Sequence, residues 1–266
     1  MREDEIDQVI VDAQVPWSDP CNMRIVLRSE MFVRAMGTLG DDTDVALAAW
    51  TSSLGDELPE DYLSEDGSVS PAKIRGLIRY LMRQRHGTPF EHGCLRFLIR
   101  VPIFVWREWH RHRIASYNEE SARYKTLEPV FWIPKRERPA IKVGDWKPGR
   151  PKFEDMSDHT WTCLVRNLAA AYKVGYRNYL ANLEMNVDPG IARACLPVGI
   201  YSRCWVTLNP RALMHFLSLR THEPEAKFVS YPLYEIEEAA RLCEGIFAKH
   251  WPETYAAFNE FGRVAP

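Results

Sequence analysis

A chain of 266 residues with 46% hydrophobic side chains can bury the core of one domain with insertions, or of two domains at most. Its 34 Lys and Arg residues nearly balance 36 Asp and Glu residues, which excludes a general polyanion-binding surface and confines any basic site to a local patch. No apolar run approaches the roughly 20 residues of a membrane-spanning helix. The acidic opening of the chain is not typical of a signal peptide, so we expect a soluble protein.

Hydrophobic periodicity and capping residues predict the elements of the first half of the chain. Residues 1–24 are polar and contain proline, which predicts a loosely ordered arm. After it the sequence predicts, in chain order, a helix around 42–52, an acidic loop at 55–69, a helix that Ser70 caps and Gly87 ends, a strand at 95–101, and a helix that Pro102 opens.

The second half alternates helices and strands irregularly. The sequence predicts, in order, an irregular proline-rich and basic excursion at 126–156, a long helix from Trp161 to near Asn186, a short helix from Asp188 to Pro197, a strand at 200–208, a helix from Asn209 to near Arg220, and a final helix at about 235–249. Because regular βαβ alternation is missing, we predict an α+β fold rather than a doubly wound sheet.

The six cysteines are scattered without a CxxC pair or zinc-type spacing. We therefore expect reduced, mostly buried thiols and a cytoplasmic location. His110 and His112 with Glu108 match none of the common metal-ligand spacings, so no metal site is predicted. The cysteines are Cys21, Cys94, Cys163, Cys195, Cys204 and Cys243.

Residues 111–124 combine cations, carboxylates, an amide and hydroxyls with few apolar side chains, which is not typical of a core segment. Guanidinium groups suit phosphate, and Asn118, Glu119 and Ser121 can read the edge of a base or a flavin ring. A nucleotide-sized anion fits this chemistry. The alternative is a solvated charged helix face.

The fourteen glycines contain neither a Gly-x-Gly-x-x-Gly turn nor a P-loop. Any flavin or nucleotide must therefore be held by arginines and helix ends, which the segment at 111–124 offers.

The pattern Arg111-His112-Arg113, seven residues, then Ser121 resembles the signature of flavin-dependent thymidylate synthases. The similarity continues in the same order over residues 25–262, which predicts one domain at 25–266 after the arm. Its other matching segments are His86–His92, Pro102–Val105 with Arg107 and Glu108, Arg193 with Leu196 and Pro197, Asn209–Phe216, and Leu219 with Arg220. The residues 262–266 also resemble actinobacterial members.

The resemblance implies an antiparallel sheet with packed helices, and a homotetramer with active sites between subunits. It also implies reductive C5-methylation of a uridylate, in which methylenetetrahydrofolate gives the carbon, reduced FAD gives hydride and NADPH recharges the flavin. No enzyme nucleophile is needed, so Ser121 is interpreted as a hydrogen-bond donor. No Ser-His-Asp pattern frames it, and no cysteine has the Pro-Cys-His context of the classical synthase.

Arg220 is the candidate catalytic residue. C5 of uridylate becomes nucleophilic when negative charge builds on the ring, and a fixed cation stabilises that charge. A guanidinium does so without titrating, and the resemblance assigns the matching arginine to N3 of the pyrimidine. The alternative is an arginine that caps a helix C-terminus.

The resemblance also implies the binding residues. His86 is expected near flavin and folate. The nucleotide contacts would be Glu108, Arg111, Glu119, Glu120, Ser121, Ala122, Arg123, Arg193 and Arg220. The FAD contacts would be His86, Thr88, Arg111, His112, Arg113, Glu119, Asn209, Arg211 and His215.

Departures from the family pattern leave the substrate open. Trp50, Leu233 and Tyr234 stand where many relatives have polar residues. Paralogues of nucleoside-antibiotic pathways, such as the polyoxin-pathway UMP methylase, act on ribonucleotides. The sequence therefore leaves dUMP and UMP open, and a non-catalytic nucleotide-binding regulator is the alternative of another class.

Overall fold

The computed structural model describes residues 23–55, 57–144 and 152–266, so nearly all of the predicted arm lies outside the described residues. The strands are β1 (Val26–Arg28), β2 (Phe32–Leu39), β3 (Cys94–Pro102), β4 (Ser116–Glu119), β5 (Val130–Trp132), β6 (Ile141–Lys142), β7 (Phe153–Glu154) and β8 (Tyr201–Leu208). The α-helices are α1 (Asp42–Leu54), α2 (Pro71–Arg83), α3 (Ile103–Trp109), α4 (Asp158–Glu184), α5 (Pro189–Ala192), α6 (Pro210–Arg220), α7 (Tyr234–His250) and α8 (Pro252–Glu260).

The chain divides into two compact units. Among the described residues, the first contains those up to Met31 together with those of Arg100–Arg107 and Glu119–Arg203. The second contains Phe32–Ile99, Glu108–Asn118 and Cys204–Pro266. The single domain expected at 25–266 stays a prediction.

Pairing of the strands is mixed. A sheet ordered β2, β3, β8, β4 has most of its residues in the second unit, and β6 pairs with β7 in antiparallel fashion. A short parallel pair joins β1 to β5, with Val26 opposite Val130. Helices with an antiparallel sheet confirm the predicted α+β class. None of the described helices has both the length and the apolar character to cross a bilayer.

The core of the first unit forms on one face of α4. Tyr172, Tyr176 and Tyr179 follow helical spacing and are buried, and Phe131 stacks on Tyr172 with ring centroids 4.6 Å apart. Gly175 lies on the same helix, where an added Cβ would come within 2.7 Å of Cδ of Pro197. The glycine therefore lets the segment that carries Arg193 pack directly on α4.

The core of the second unit forms between the sheet and the helices α6 and α7. β3 alternates as predicted, with Leu95 and Phe97 buried and Arg96 exposed. Asp42, which is buried at the start of α1, accepts hydrogen bonds from the main-chain N–H groups of Glu253 and Thr254 at 2.7 and 2.9 Å. Its carboxylate satisfies two donors that a helix N-terminus leaves free, and so fixes α8.

Some boundaries differ from the sequence predictions. The helix expected to end at Gly87 ends at Arg83, because Arg85 adopts φ +64° and turns the chain. Ser70 is at the N-cap but makes no side-chain cap hydrogen bond. The expected final helix is followed by α8. The strands β1, β2 and β4 to β7 were not predicted.

Candidate active site

Helix α6 presents several predicted site residues of the second unit. Asn209 caps it, because its side-chain oxygen accepts a hydrogen bond from the N–H of Ala212 at 2.8 Å. The helix buries Leu213, Met214, Phe216 and Leu217. Arg211 and His215, which are one turn apart, therefore face away from this core.

Arg220, at the end of α6, is held on two sides. Its Nη1 donates to Oε2 of Glu108 at 2.7 Å, and its Nη2 approaches the main-chain oxygen of Glu108 at 3.3 Å. Its Nε donates to Nε2 of His112 at 3.0 Å. Only 19% of the Arg220 side chain is exposed. The arrangement is a largely buried guanidinium with a fixed plane.

Arg220 stays positively charged although its side chain is largely buried. Burial lowers the pKa of Arg220 below its ordinary value, the charge of Glu108 opposes this shift, and the charge of Arg111 adds to it. A guanidinium remains protonated at any physiological pH. Arg220 is therefore a permanent cation.

His112 is a neutral hydrogen-bond acceptor. Burial lowers its pKa to about 4, and the charges of Arg220 and His215 contribute in the same direction. Because Nε2 accepts from Arg220, the proton of the neutral ring is on Nδ1. Phe216 packs edge-on against the ring with centroids 4.9 Å apart. The predicted flavin contact thus also orients the predicted catalytic residue.

Arg111 and Arg113 are exposed on either side of His112. Within the described ranges, no carboxylate lies at ion-pair distance from either guanidinium. Two cations without counter-charges fit an anionic group such as a phosphate.

The guanidinium of Arg211 contacts two other residues. Its Nη1 pairs with Oε1 of Glu91 at 2.5 Å, and its Nε donates to the main-chain oxygen of Pro266 at 2.6 Å. His86 and Thr88 precede Glu91 in sequence and are exposed. The ring of His86 packs edge-on against that of Tyr80, with ring centroids 5.8 Å apart.

The remaining predicted nucleotide contacts lie in the first unit. Glu119 accepts a hydrogen bond from Oγ of Ser202 at 2.5 Å. Glu120 accepts from the N–H of Arg203 at 2.9 Å and pairs with Lys125 at 3.1 Å. Both carboxylates thus fix the loop to β8, a role that the sequence did not indicate.

Of the other predicted nucleotide contacts in the first unit, Ala122 is buried and the rest are accessible. Ala122 is 4% exposed in the core, so only its main chain is available to a ligand. Arg123 and Arg193 are exposed, and in the described part of the chain neither has a carboxylate at ion-pair distance. Ser121 accepts from the N–H of Arg123 at 3.3 Å.

Trp50, a departure from the family pattern, is 6% exposed and meets Tyr62 edge-on at 5.1 Å. Trp50 is a core residue, so this departure from the family pattern is not an exposed side chain. Leu233 is at the N-cap of α7 and Tyr234 is its first residue.

Comparison with known proteins decides the family. A family model described as thymidylate synthase complementing protein matches residues 35–253. The flavin-dependent thymidylate synthase of Streptomyces coelicolor is 42% identical over 253 residues, which are 95% of this chain and 99% of that protein. That of Tropheryma whipplei strain TW08/27 is 43% identical, over 91% of this chain and 97% of its own. The chain belongs to the flavin-dependent thymidylate synthase family.

Solved structures agree with this assignment. The UMP/dUMP methylase PolB of Streptomyces cacaoi bound with 5-Br UMP has a TM-score of 0.81 and 42% identity, and covers 91% of this chain and 99% of its own. The same protein bound with 5-Br dUMP has a TM-score of 0.81 and 43% identity, over 90% and 99% of the two chains.

Members of the flavin-dependent thymidylate synthase family methylate C5 of a uridylate, with FAD as cofactor and methylenetetrahydrofolate as carbon donor, and this chain is such an enzyme. Its side chains fit FAD. Arg111 and Arg113 can compensate a diphosphate, and the neutral His112 adds an N–H donor without adding charge.

Proposed function

We propose that the chain methylates C5 of both dUMP and UMP, with Arg220 as the catalytic residue. The observation that carries the proposal is the guanidinium held by Glu108 and His112. A cation that is already oriented stabilises charge on a bound pyrimidine without reorganising during the reaction.

Glu108 has a supporting part in this arrangement. Its carboxylate lies 2.7 Å from Nη1 of Arg220 and fixes one edge of the guanidinium. His112 fixes Nε at 3.0 Å. The remaining N–H bonds of the Nη atoms are available to the carbonyl and N3 edge of the pyrimidine.

Nucleotide phosphate is assigned to Arg123 and Arg193. Both guanidinium groups are exposed, and neither has an ion-pair partner among the residues that the structure describes. Ser121 and the main chain at Ala122 supply further hydrogen bonds. Glu119 and Glu120 keep the loop in place through Ser202 and Arg203.

FAD is assigned to Arg111, His112 and Arg113, to the turn that follows α2, and to α6 with its N-cap residue. When bound, FAD supplies the hydride that completes the methyl group. The assigned turn and helix residues are His86, Thr88, Asn209, Arg211 and His215. NADPH is the proposed reductant of the flavin.

A homotetramer in the cytoplasm is the proposed form of the enzyme. Ile114 and Tyr124, next to the signature residues, expose 76% and 82% of their surface, and a second copy of the chain is the partner we propose for each. Free thiols at Cys94, Cys204 and Cys243 are compatible with a reducing compartment. Analytical ultracentrifugation tests the oligomeric state.

The substrate range has a specific test. The enzyme is incubated with FAD, NADPH, methylenetetrahydrofolate and an equimolar mixture of dUMP and UMP, and the products are identified by mass. The proposal predicts both 5-methyl products. Formation of 5-methyl-UMP alone would favour a dedicated UMP methylase. FAD and nucleotide binding without any methylated product would favour a regulator.

A further inference from the structure

The residues 262–266, which we call the strap, leave α8 through a sharp turn. Gly262 has φ +79° and Arg263 has φ +57°, and the N–H of Arg263 donates to the main-chain oxygen of Phe258 at 2.8 Å. A left-handed conformation disfavours a side chain, and glycine is common after a helix. Arginine at this position therefore indicates that its side chain has a use.

The side chain of Arg263 is 6% exposed and reaches the end of α6. Its Nη2 lies 2.7 Å from Oε1 of Glu244 and donates to Oγ1 of Thr221 at 2.9 Å. The face of its guanidinium lies 4.9 Å from the ring centre of Phe258. Thr221 is the C-cap of α6 and the neighbour of Arg220.

The other end of the strap reaches the first turn of α6. The main-chain oxygen of Pro266 accepts the 2.6 Å hydrogen bond from Nε of Arg211. A Cβ at Gly87 would lie 2.5 Å from Cζ of Arg211 and 2.8 Å from the Pro266 oxygen. Gly87 thus leaves the space in which strap and guanidinium meet.

The strap is connected to both ends of one helix, and the buried pair between Arg263 and Glu244 is part of that connection. A buried ion pair adds little stability compared with an apolar pair, since both charges lose water, but it fixes geometry. Glu244 also binds Arg241 at 2.9 Å, so the anchor of the strap is itself held in α7.

We propose that Arg263 and Pro266 are positioning residues of the active site. Arg263 fixes the end of α6 beside Arg220, and Pro266 fixes the guanidinium of Arg211. The inference rests on the proposed function, which assigns Arg220 to the pyrimidine and Arg211 to the flavin.

Three variants test the two ends of the strap separately. Deletion of residues 264–266 removes the contact with Arg211 and leaves Arg263 in place. Arg263→Met removes the charge at similar length, and Arg263→Lys keeps a charge for Glu244. Arg75→Met is the matched control, because Arg75 makes a bidentate pair with Glu253 at 2.9 Å, which reaches α8 but not α6.

The readouts are hydrogen exchange of α6 amides in the apoprotein, FAD affinity by visible absorbance, steady-state kinetics, and Tm. The deletion should weaken FAD binding about 3- to 30-fold, the range for residues that act through another residue. Arg263→Met should increase exchange at 217–221 and lower kcat with little change in the KM for nucleotide, and Arg263→Lys should restore part of both. Arg75→Met should change Tm alone.

Wild-type FAD affinity in the deletion variant, together with unchanged α6 exchange in Arg263→Met, would overturn the proposal. So would a loss of FAD affinity in Arg75→Met that matches the strap variants at equal Tm. If the wild-type protein binds no FAD, the proposed function fails, while exchange of α6 in the apoprotein still tests the strap.

Discussion

Arg220 donates its Nε–H to Nε2 of His112 at 3.0 Å, across 108 residues of sequence. This hydrogen bond requires a neutral imidazole, and the pKa of His112 is about 4 because the ring is buried beside the guanidinium. A residue of the signature thereby orients the guanidinium that we propose as catalytic, in addition to its expected contact with FAD.

Arg220→Lys tests the planar contact. Lysine keeps the charge but cannot bind Glu108 and His112 through a planar fork. We expect kcat to fall about 100-fold, as for loss of one oriented donor, while nucleotide still binds. Steady-state kinetics and calorimetric binding measure the two effects. Arg79→Lys, which alters an exposed ion pair with Glu260, is the control and should keep wild-type turnover. Near-normal turnover of Arg220→Lys would remove the residue from catalysis.

The neutral His112 predicts a pH dependence of stability. Its pKa is about 4 in the fold and 6.5 in an ordinary imidazole, so the unfolded chain binds more protons between these values. Its contribution to the free energy of unfolding is therefore fully present above pH 6.5 and is lost as pH falls toward about 4. His112→Gln keeps an acceptor oxygen but does not titrate.

Urea unfolding of wild type and His112→Gln across this pH window provides the measurement. The difference in free energy of unfolding, wild type minus variant, should decrease as pH falls. The other titrating groups are the same in both proteins, so their contributions cancel in this difference when the two proteins share the same fold. A difference that stays constant with pH is incompatible with a neutral, buried His112.

The phosphate assignment predicts a loss of nucleotide affinity. Arg123→Ala or Arg193→Ala should weaken binding of dUMP by about 1.5 to 3 kcal/mol, the range for hydrogen bonds to charged groups. Isothermal calorimetry measures it. Arg166→Ala, an exposed arginine on α4 with no assigned role, should bind as wild type does. Unchanged affinity in both test variants would place the phosphate elsewhere.

Local sequence was sufficient to predict α6 and β3. Asn209 and Pro210 mark the start of α6, and alternation from Leu95 marks β3, because both signals come from adjacent residues. Helix α8 was missed because it is nine residues long and begins directly after α7. The short β4 was hidden by its polar side chains.

The contacts between residues of the site could not be predicted from local sequence. The bond from Arg263 to Thr221 and that from Arg211 to Pro266 join residues 42 and 55 positions apart, without any spacing pattern that would reveal them. The family resemblance identified Arg220 and His112 separately. Their hydrogen bond, and the core position of Trp50, follow only from tertiary packing.

The enzyme should accept both a ribonucleotide and a deoxyribonucleotide. Leu233 and Tyr234, at the start of α7, also depart from the family pattern, and unlike Trp50 they are not core residues. A ribose 2'-OH is rejected only by a close wall at that atom. We expect UMP to be methylated within about tenfold of the dUMP rate, a difference of roughly 1.4 kcal/mol in barrier. Competition between the two nucleotides measures the ratio, and a preference of several hundredfold for dUMP would contradict it.

A single-turnover experiment tests the central claim most directly. The enzyme with bound FAD is reduced chemically, NADPH is left out, and methylenetetrahydrofolate and dUMP are added without oxygen. We expect the wild-type enzyme to form dTMP in an amount stoichiometric with bound FAD, together with reoxidation of the flavin, and Arg220→Lys to form little dTMP. Reduced enzyme that binds dUMP but forms no dTMP, or equal yields from both proteins, would contradict it.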